Sequence, residues 1–296
     1  MRKNLEIDYE KALSQFEKAI KRFQIKQIIY KSAFRGKGLE FDGYRNFEKD
    51  DDYSMIDWKA SLRGNRLMSK QYIEERDLSI YFIVDVSDSM IFGSQNKLKA
   101  EYSAEIVAAL SHLIINSSDN AGLIMFSGKA SKIILPSRSK NQFFIMTKYL
   151  SEGNLYGGAF DFSKAIEFVL KTAKPRSVVI FLSDFLHVKK DIEKDLRLLS
   201  TKFETMALMI RDPMDEELPK GNYKLYIQDP YSQNQMLIDP ELAASRYSQI
   251  SLKQKVFVKN LFKKSGIDLL DMKTDESFIV PLSGFLKSRA RGGMRE

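Results

Sequence analysis

Three oxygen-bearing side chains at alternate positions, Asp85, Ser87 and Ser89, form the stretch of this sequence best equipped for chemistry. In an extended loop such residues turn their oxygens toward one point. One carboxylate and two hydroxyls are hard donors of the kind that suit Mg²⁺ (or Mn²⁺), which takes octahedral oxygen ligation and keeps several waters. Two of the three donors are neutral, so a cation held there keeps positive charge to offer an acidic partner. The simpler alternative is that the three residues cap the helix that follows them.

The element that must position them is the run Leu78-Ser79-Ile80-Tyr81-Phe82-Ile83-Val84, β-branched and aromatic and of strand length. A buried strand that delivers a ligand set at its C-terminal end is the arrangement open α/β sheets use for their sites. Further strands are expected over 121–126, 132–135, 176–182, 205–211 and 267–271. Helices are expected over 97–117, 141–150, 163–172, 191–200, 248–265 and 280–288, with a hairpin over 223–227 and 235–238. This alternation predicts an α/β fold, a doubly wound and mostly parallel sheet. Ahead of it, residues 6–31 read as one amphipathic helix, with Leu13, Phe16, Ile20, Phe23 and Ile28 at helical spacing. That helix is expected to dock on the domain rather than lie on a membrane. His112 has no second ligand at metal-binding spacing and reads as a satisfied histidine. The single Trp, Trp58, reads as a packing anchor.

Composition sets the outer limits. A hydrophobic fraction of 44% and a charged fraction of 29% are those of a soluble globular protein. With no cysteine there is no disulfide, no thiolate metal site and no cysteine nucleophile. No apolar run reaches the length of about 18 residues needed for a membrane span, and residues 1–8 carry no signal segment, so the expected location is cytoplasmic. The net charge of +8 sits at the two ends: residues 1–38 carry ten Lys and Arg against four acids, and residues 287–296 carry four against one. Such ends allow nonspecific attraction to nucleic acid, or peripheral contact with an anionic membrane, without specifying either. No G-x-x-x-x-G-K-[ST] loop is present, so the chain is not a P-loop NTPase. A phosphatase using Asp85 as nucleophile would need a second acid two residues on, where Ser87 stands.

Two groups of motifs carry a resemblance. The loop Asp85-Val86-Ser87-Asp88-Ser89 resembles the metal-ion-dependent adhesion site of von Willebrand factor A domains. The segment before it, with Gly36, Gly38, Glu40 and Phe41, then Arg45, Asp51 and Asp52, then Ile56-Asp57-Trp58, then Ser61 and Arg63, resembles the bacterial domain-of-unknown-function 58 family, a von Willebrand A-like group. Phe47 and Asp50 replace a tyrosine and a glycine of that pattern, and Ser54 and Met55 replace its arginines. The likeness runs from about residue 33 to 288. It implies three parts: 1–76, the N-terminal helix and signature segment packing on the core; 77–288, the von Willebrand A-like domain with a small hairpin appendage; and 289–296, a basic tail.

The resemblance also implies roles. Asp184, at the end of the 176–182 strand, joins Asp85, Ser87 and Ser89 around Mg²⁺ or Mn²⁺. Such sites add a threonine from a Gly-Gly-Thr loop, and here that loop is Gly157-Gly158-Ala159, so the metal should be held weakly or not at all; Asp161 is a substitute ligand. Glu40, Arg45, Asp51, Asp52, Asp57, Trp58 and Arg63 are the family signature, and its charges are expected to form a network that clasps this segment to the core. The implied function is a non-enzymatic binding module for a protein that presents an acidic residue, an adaptor for a MoxR-type AAA+ ATPase. The alternatives are a metal-free interaction domain with a degenerate site, and binding to nucleic acid or an anionic membrane.

Overall fold

The structure, a computed structural model, describes residues 4–21, 40–47, 53, 56–73, 78–219, 221, 223–228 and 234–290. Its contacts divide the chain into two compact units, residues 1–33 with 78–296, and residues 34–77. The N-terminal helix therefore goes with the sheet and not with the signature segment, which was expected to share a part with it.

The larger unit is built on six strands: β3 (Ser79–Asp85), β4 (Asn120–Phe126), β5 (Ala130–Ser137), β6 (Val178–Ser183), β7 (Glu204–Arg211) and β10 (Asp268–Lys273). Their order is β10-β7-β6-β3-β4-β5. All neighbours are parallel except β5, which returns antiparallel to β4 at the edge. β3 lies between β4 and β6, and every residue from Ile80 to Asp85 is buried. That central place is why its sequence is a continuous apolar run rather than an alternating one. A mostly parallel, doubly wound sheet is what the alternation of elements predicted.

Alternation survives in which layer each residue meets. Tyr81, Ile83, Phe181 and Met209 pack in one cluster with α5 (Phe162–Thr172), α6 (Glu193–Lys202) and α7 (Pro240–Lys264). Ile80, Ile180 and Leu208 instead line a small apolar cavity with residues of α3 (Lys99–Asn116) and α8 (Ile279–Ala290). α3 is buried nearly all round, fourteen of its eighteen residues. It is enclosed because α1 (Tyr9–Lys21) and α4 (Lys140–Ser151) pack on it as well. α1 docks as expected: Phe16, 1% exposed, meets the ring of Phe278 at 5.9 Å. Phe23 and Ile28, assigned to the same helix, lie outside the described residues.

Two boundaries moved for local reasons. α7 starts eight residues before the expected 248, because Asp239 caps it by accepting from the backbone of Glu241 and Leu242, and Pro240 occupies its first turn. Few large apolar residues mark that first stretch, so periodicity missed it. α8 runs to Ala290, two residues into the expected basic tail. Arg289, 1% exposed, is an internal residue that pairs with Glu204 and, at 2.6 Å, with Asp268. The expected hairpin is present as β8 (Leu225–Gln228) and β9 (Gln235–Ile238).

The smaller unit holds an antiparallel pair, β1 (Glu40–Asn46) and β2 (Met68–Ile73), joined by a short helix α2 (Trp58–Gly64). Glu40 and Arg45 are both in β1. Asp57 caps α2, accepting from the backbone of Lys59 and Ala60 at 3.0 Å each, and Tyr44 donates to it at 3.3 Å. Trp58 is 65% exposed and is not the expected anchor; the apolar residue this turn buries is Ile56, bridged to Ser69. Arg63 is exposed in the last turn of α2. Asp51 and Asp52, two members of the expected clasping network, lie outside the described residues.

Candidate functional site

Asp85 ends β3 opposite Phe126 of β4, one residue past the Val84–Leu182 pairing with β6. The backbone then turns at Ser87 into a single 3-10 turn, Asp88–Ile91, without any side-chain cap bond from Ser87. Capping is therefore not what Ser87 does. Its amide instead donates to Asp85 Oδ1 at 2.9 Å, and its hydroxyl lies 3.2 Å from that of Ser89. Asp85 Oδ2 accepts from Ser183 Oγ at 2.6 Å. All of these groups are buried. Burial, and then the nearby Asp184 charge, push the Asp85 carboxyl up to about 7 against the hydrogen bonds from Ser183 and Ser87.

Asp184 follows Ser183 at the end of β6. Phe185, with φ of 49°, turns the chain sharply in the left-handed region, and its amide donates back to Ser183 Oγ at 3.0 Å. Asp184 Oδ1 accepts from the Leu186 amide at 3.1 Å, while Oδ2 holds the ammonium of Lys99 at 2.8 Å. Lys99, 1% exposed, also holds Asp215 at 2.9 Å. Burial pushes Asp184 up, but Lys99 with Arg211 more than offsets it and leaves the carboxyl below its usual range. Burial outweighs Lys99 at Asp215, which is raised.

This buried network, absent from the sequence reading, ties the whole edge together. Asp212 accepts from the Ser94 amide and hydroxyl at 2.7 and 2.5 Å and caps the turn Pro213–Asp215. Arg211 donates to Gln254 Oε1 at 2.6 Å, and Gln254 donates in turn to the carbonyl of Phe185 at 2.7 Å. Lys99 carried no mark, since a lysine opening a helix is ordinarily solvated.

The glycine loop closes the site from the other side. Gly157 donates to the Val86 carbonyl at 2.7 Å; Asp88 and Gly158 exchange bonds of 2.9 Å between the Asp88 amide and Gly158 carbonyl, and the Gly158 amide and Asp88 carboxylate. Asp161 caps α5 and pairs with Lys164 at 3.1 Å. Its carboxylate is thereby engaged locally. His112 shares a 3.1 Å contact with Glu17, as a satisfied histidine should.

The donors can be tested against a divalent cation. Octahedral bonds of about 2.1 Å put neighbouring ligand oxygens about 3 Å apart, and Ser87 Oγ and Ser89 Oγ are 3.2 Å apart. Asp85, Ser87 and Ser89 thus fit as a partial donor set. Asp184 does not fit as a direct ligand while Lys99 occupies it, and Ala159 supplies no side-chain oxygen. Among the described residues no group of three or more His, Cys, Asp or Glu could hold a metal, so such a site would lean on the hydroxyls. No helix among those residues is long and apolar enough to cross a membrane.

The chain is similar to several known proteins. An uncharacterized protein of Mycobacterium tuberculosis is 25% identical over 266 residues, 88% of this chain and 82% of its own. The crystal structure of BatB from Bacteroides thetaiotaomicron, a conserved hypothetical protein, aligns over 72% of this chain and 99% of its own with a TM-score of 0.50 at 14% identity. The VWA domain of SpRpn10 covers 74% of this chain and 96% of its own, at 12% identity and a TM-score of 0.38. The model of the family described as "Protein of unknown function DUF58" matches residues 43–255, most of the chain and all of the D-x-S-x-S site, and the chain belongs to that family.

Proposed function

We propose that this chain is a non-enzymatic protein-binding module that receives an acidic residue of its partner at the C-terminal edge of the sheet. The observation that carries this reading is the convergence of Asp85, Ser87 and Ser89 on one another, buried beneath the sheet edge and closed by the glycine loop. Mg²⁺ or Mn²⁺ held by Asp85, Ser87 and Ser89 would supply an electrophilic position for the partner's carboxylate. The chain's own residues do the rest. Ser183 and the Ser87 amide fix the Asp85 carboxylate, and Lys99 holds Asp184 in place beside it. The chain has no cysteine, the Ser87 and Ser89 hydroxyls face each other, and Ser183, whose hydroxyl donates to Asp85 at 2.6 Å, is 1% exposed and so shielded from a substrate. The resemblance to the family points to a cytoplasmic partner of the MoxR-type AAA+ ATPase class.

A metal-free version of the same reading is favoured by one observation, the Lys99 ammonium on Asp184, which already supplies a cation to the site. One experiment separates the two. Millimolar Mg²⁺ or Mn²⁺ should raise the melting temperature of the wild type, as any ligand of the native state does. Asp85→Ala should abolish the rise, and Ala159→Thr should enlarge it. Absence of a rise at tens of millimolar metal removes the metal. Recovery of a purified MoxR-type ATPase that is undiminished by Asp85→Ala, or turnover of generic phosphate esters by the purified chain, would overturn the binding-module reading itself.

A further inference from the structure

Beside the D-x-S-x-S loop lies a groove of about 640 Å³, and its lining is basic. Three segments enclose it: the β4–β5 turn with Ser127, Gly128 and Lys129; the loop and helix start from Gly157 to Lys164; and the chain after β6 with His187, Lys189 and Ile192. All three lie past the C-terminal ends of β4 and β6 or at the N-terminal start of α5. That is the crevice where open α/β sheets bind ligands. Lys129, Lys164 and Lys189 line it against one acid, Asp161, which is paired with Lys164 at 3.1 Å. The groove is continuous with the candidate site, because Gly157 and Gly158 are bonded directly to Val86 and Asp88.

Its rim is also open. A Cβ added at Gly128 would have the Ala159 carbonyl within 4 Å, at 3.6 Å, and one at Gly158 would have Ser127 Oγ, at 3.7 Å. Two bare backbone positions facing a channel leave room for another chain to lie close. Phe160 and Phe162, with rings 5.8 Å apart, and Ile192 give the groove an apolar component. Lysines above an apolar, glycine-rimmed channel match an extended acidic peptide better than a compact anion, which would use only one end of the space.

We propose that this groove is the docking channel for an acidic peptide segment of the partner, with Lys129 and Lys189 reading its charges. This rests on the binding-module reading and extends it from one carboxylate to the residues flanking it. The channel sets specificity and association rate through charge complementarity, so its effect should weaken as salt rises.

The probe is a fluorescein-labelled decapeptide of alternating Glu and Gly, followed by anisotropy on the full chain at about 0.15 M salt, an ionic strength that screens charges beyond roughly 8 Å. The wild type should bind it and ignore the corresponding Lys–Gly peptide. Lys129→Glu with Lys189→Glu should weaken binding by about tenfold or more, equivalent to about 1.4 kcal/mol. Gly128→Phe, which keeps every charge and fills the channel, should weaken it comparably. Lys171→Glu with Lys194→Glu, on exposed faces of α5 and α6, should not. The proposal is overturned if the wild type fails to bind, or if neither groove variant changes affinity by more than twofold. It is also overturned if inorganic phosphate or a single-stranded oligonucleotide competes as well as unlabelled peptide, which would make this a general anion site. Loss of binding in Asp85→Ala with full binding in both groove variants would sink the channel and leave the site reading standing. The opposite pattern would keep the channel and sink the role of Asp85.

Discussion

Replacing Lys99 with methionine tests whether the sheet edge depends on its internal cation. The ammonium lies 2.8 Å from Asp184 and 2.9 Å from Asp215, with 1% of its side chain exposed. At an effective dielectric of about 20, two unit charges 2.8 Å apart attract by about 6 kcal/mol. Much of that offsets the desolvation of the three ions. The cost of removing one partner is better judged from broken buried pairs, about 3 to 5 kcal/mol, because uncompensated carboxylates stay behind. With a urea slope near 3 kcal/mol per M, the unfolding midpoint of Lys99→Met should fall by about 1 to 1.7 M. Lys99→Met/Asp184→Asn/Asp215→Asn removes the charges together and should recover a large part of the loss. Urea titration followed by circular dichroism reads all of these, with the surface variant Lys171→Met as control. A midpoint for Lys99→Met no lower than that control, or a triple variant less stable than the single, would refute the reasoning. If the metal reading holds as well, Lys99→Met should show a larger Mg²⁺-induced rise in melting temperature than the wild type, since the competing charge is gone.

Asp57→Ala should cost about 1 kcal/mol, the usual loss of a helix N-cap, while Asp57→Asn keeps most of it; a loss of several kcal/mol in urea would favour the clasp expected from the sequence. A second ionic cluster, Glu216 and Asp271 with Lys255, Lys259 and Lys273, should set part of the acid limit of stability. Burial pushes both carboxyls up, but their lysine partners more than offset it, so both sit below the usual range. A depressed folded pKa gives stability that is full above the unfolded value, near 4, and is lost as pH falls through the folded one. Lys255→Met should therefore flatten the stability profile below about pH 5, and an unchanged acid slope would exclude the cluster as its source.

The strands of the sheet, and the strand end that carries Asp85, were legible in the residues alone. A short, β-branched and aromatic apolar run ending in Asp85 reads as a strand covered on both faces, and its end then falls at the sheet's C-terminal edge. Asp184 was named through the family resemblance, as the residue that follows the later buried strand β6 and its terminal Ser183. Two features were not legible in the same way: β1 and β2 pair across more than twenty residues, and α7 begins on a cap and a proline rather than on an apolar stripe. What surrounds the carboxylates comes from long-range packing. Lys99 lies 85 residues from Asp184 and 116 from Asp215, and Ser94 lies 118 from Asp212. No spacing rule connects residues so far apart, and a lysine reads the same in sequence whether it is solvated or buried. Its charge becomes part of the site only when the packing of α3 against β6 and β7 takes water away and leaves two carboxylates as its partners.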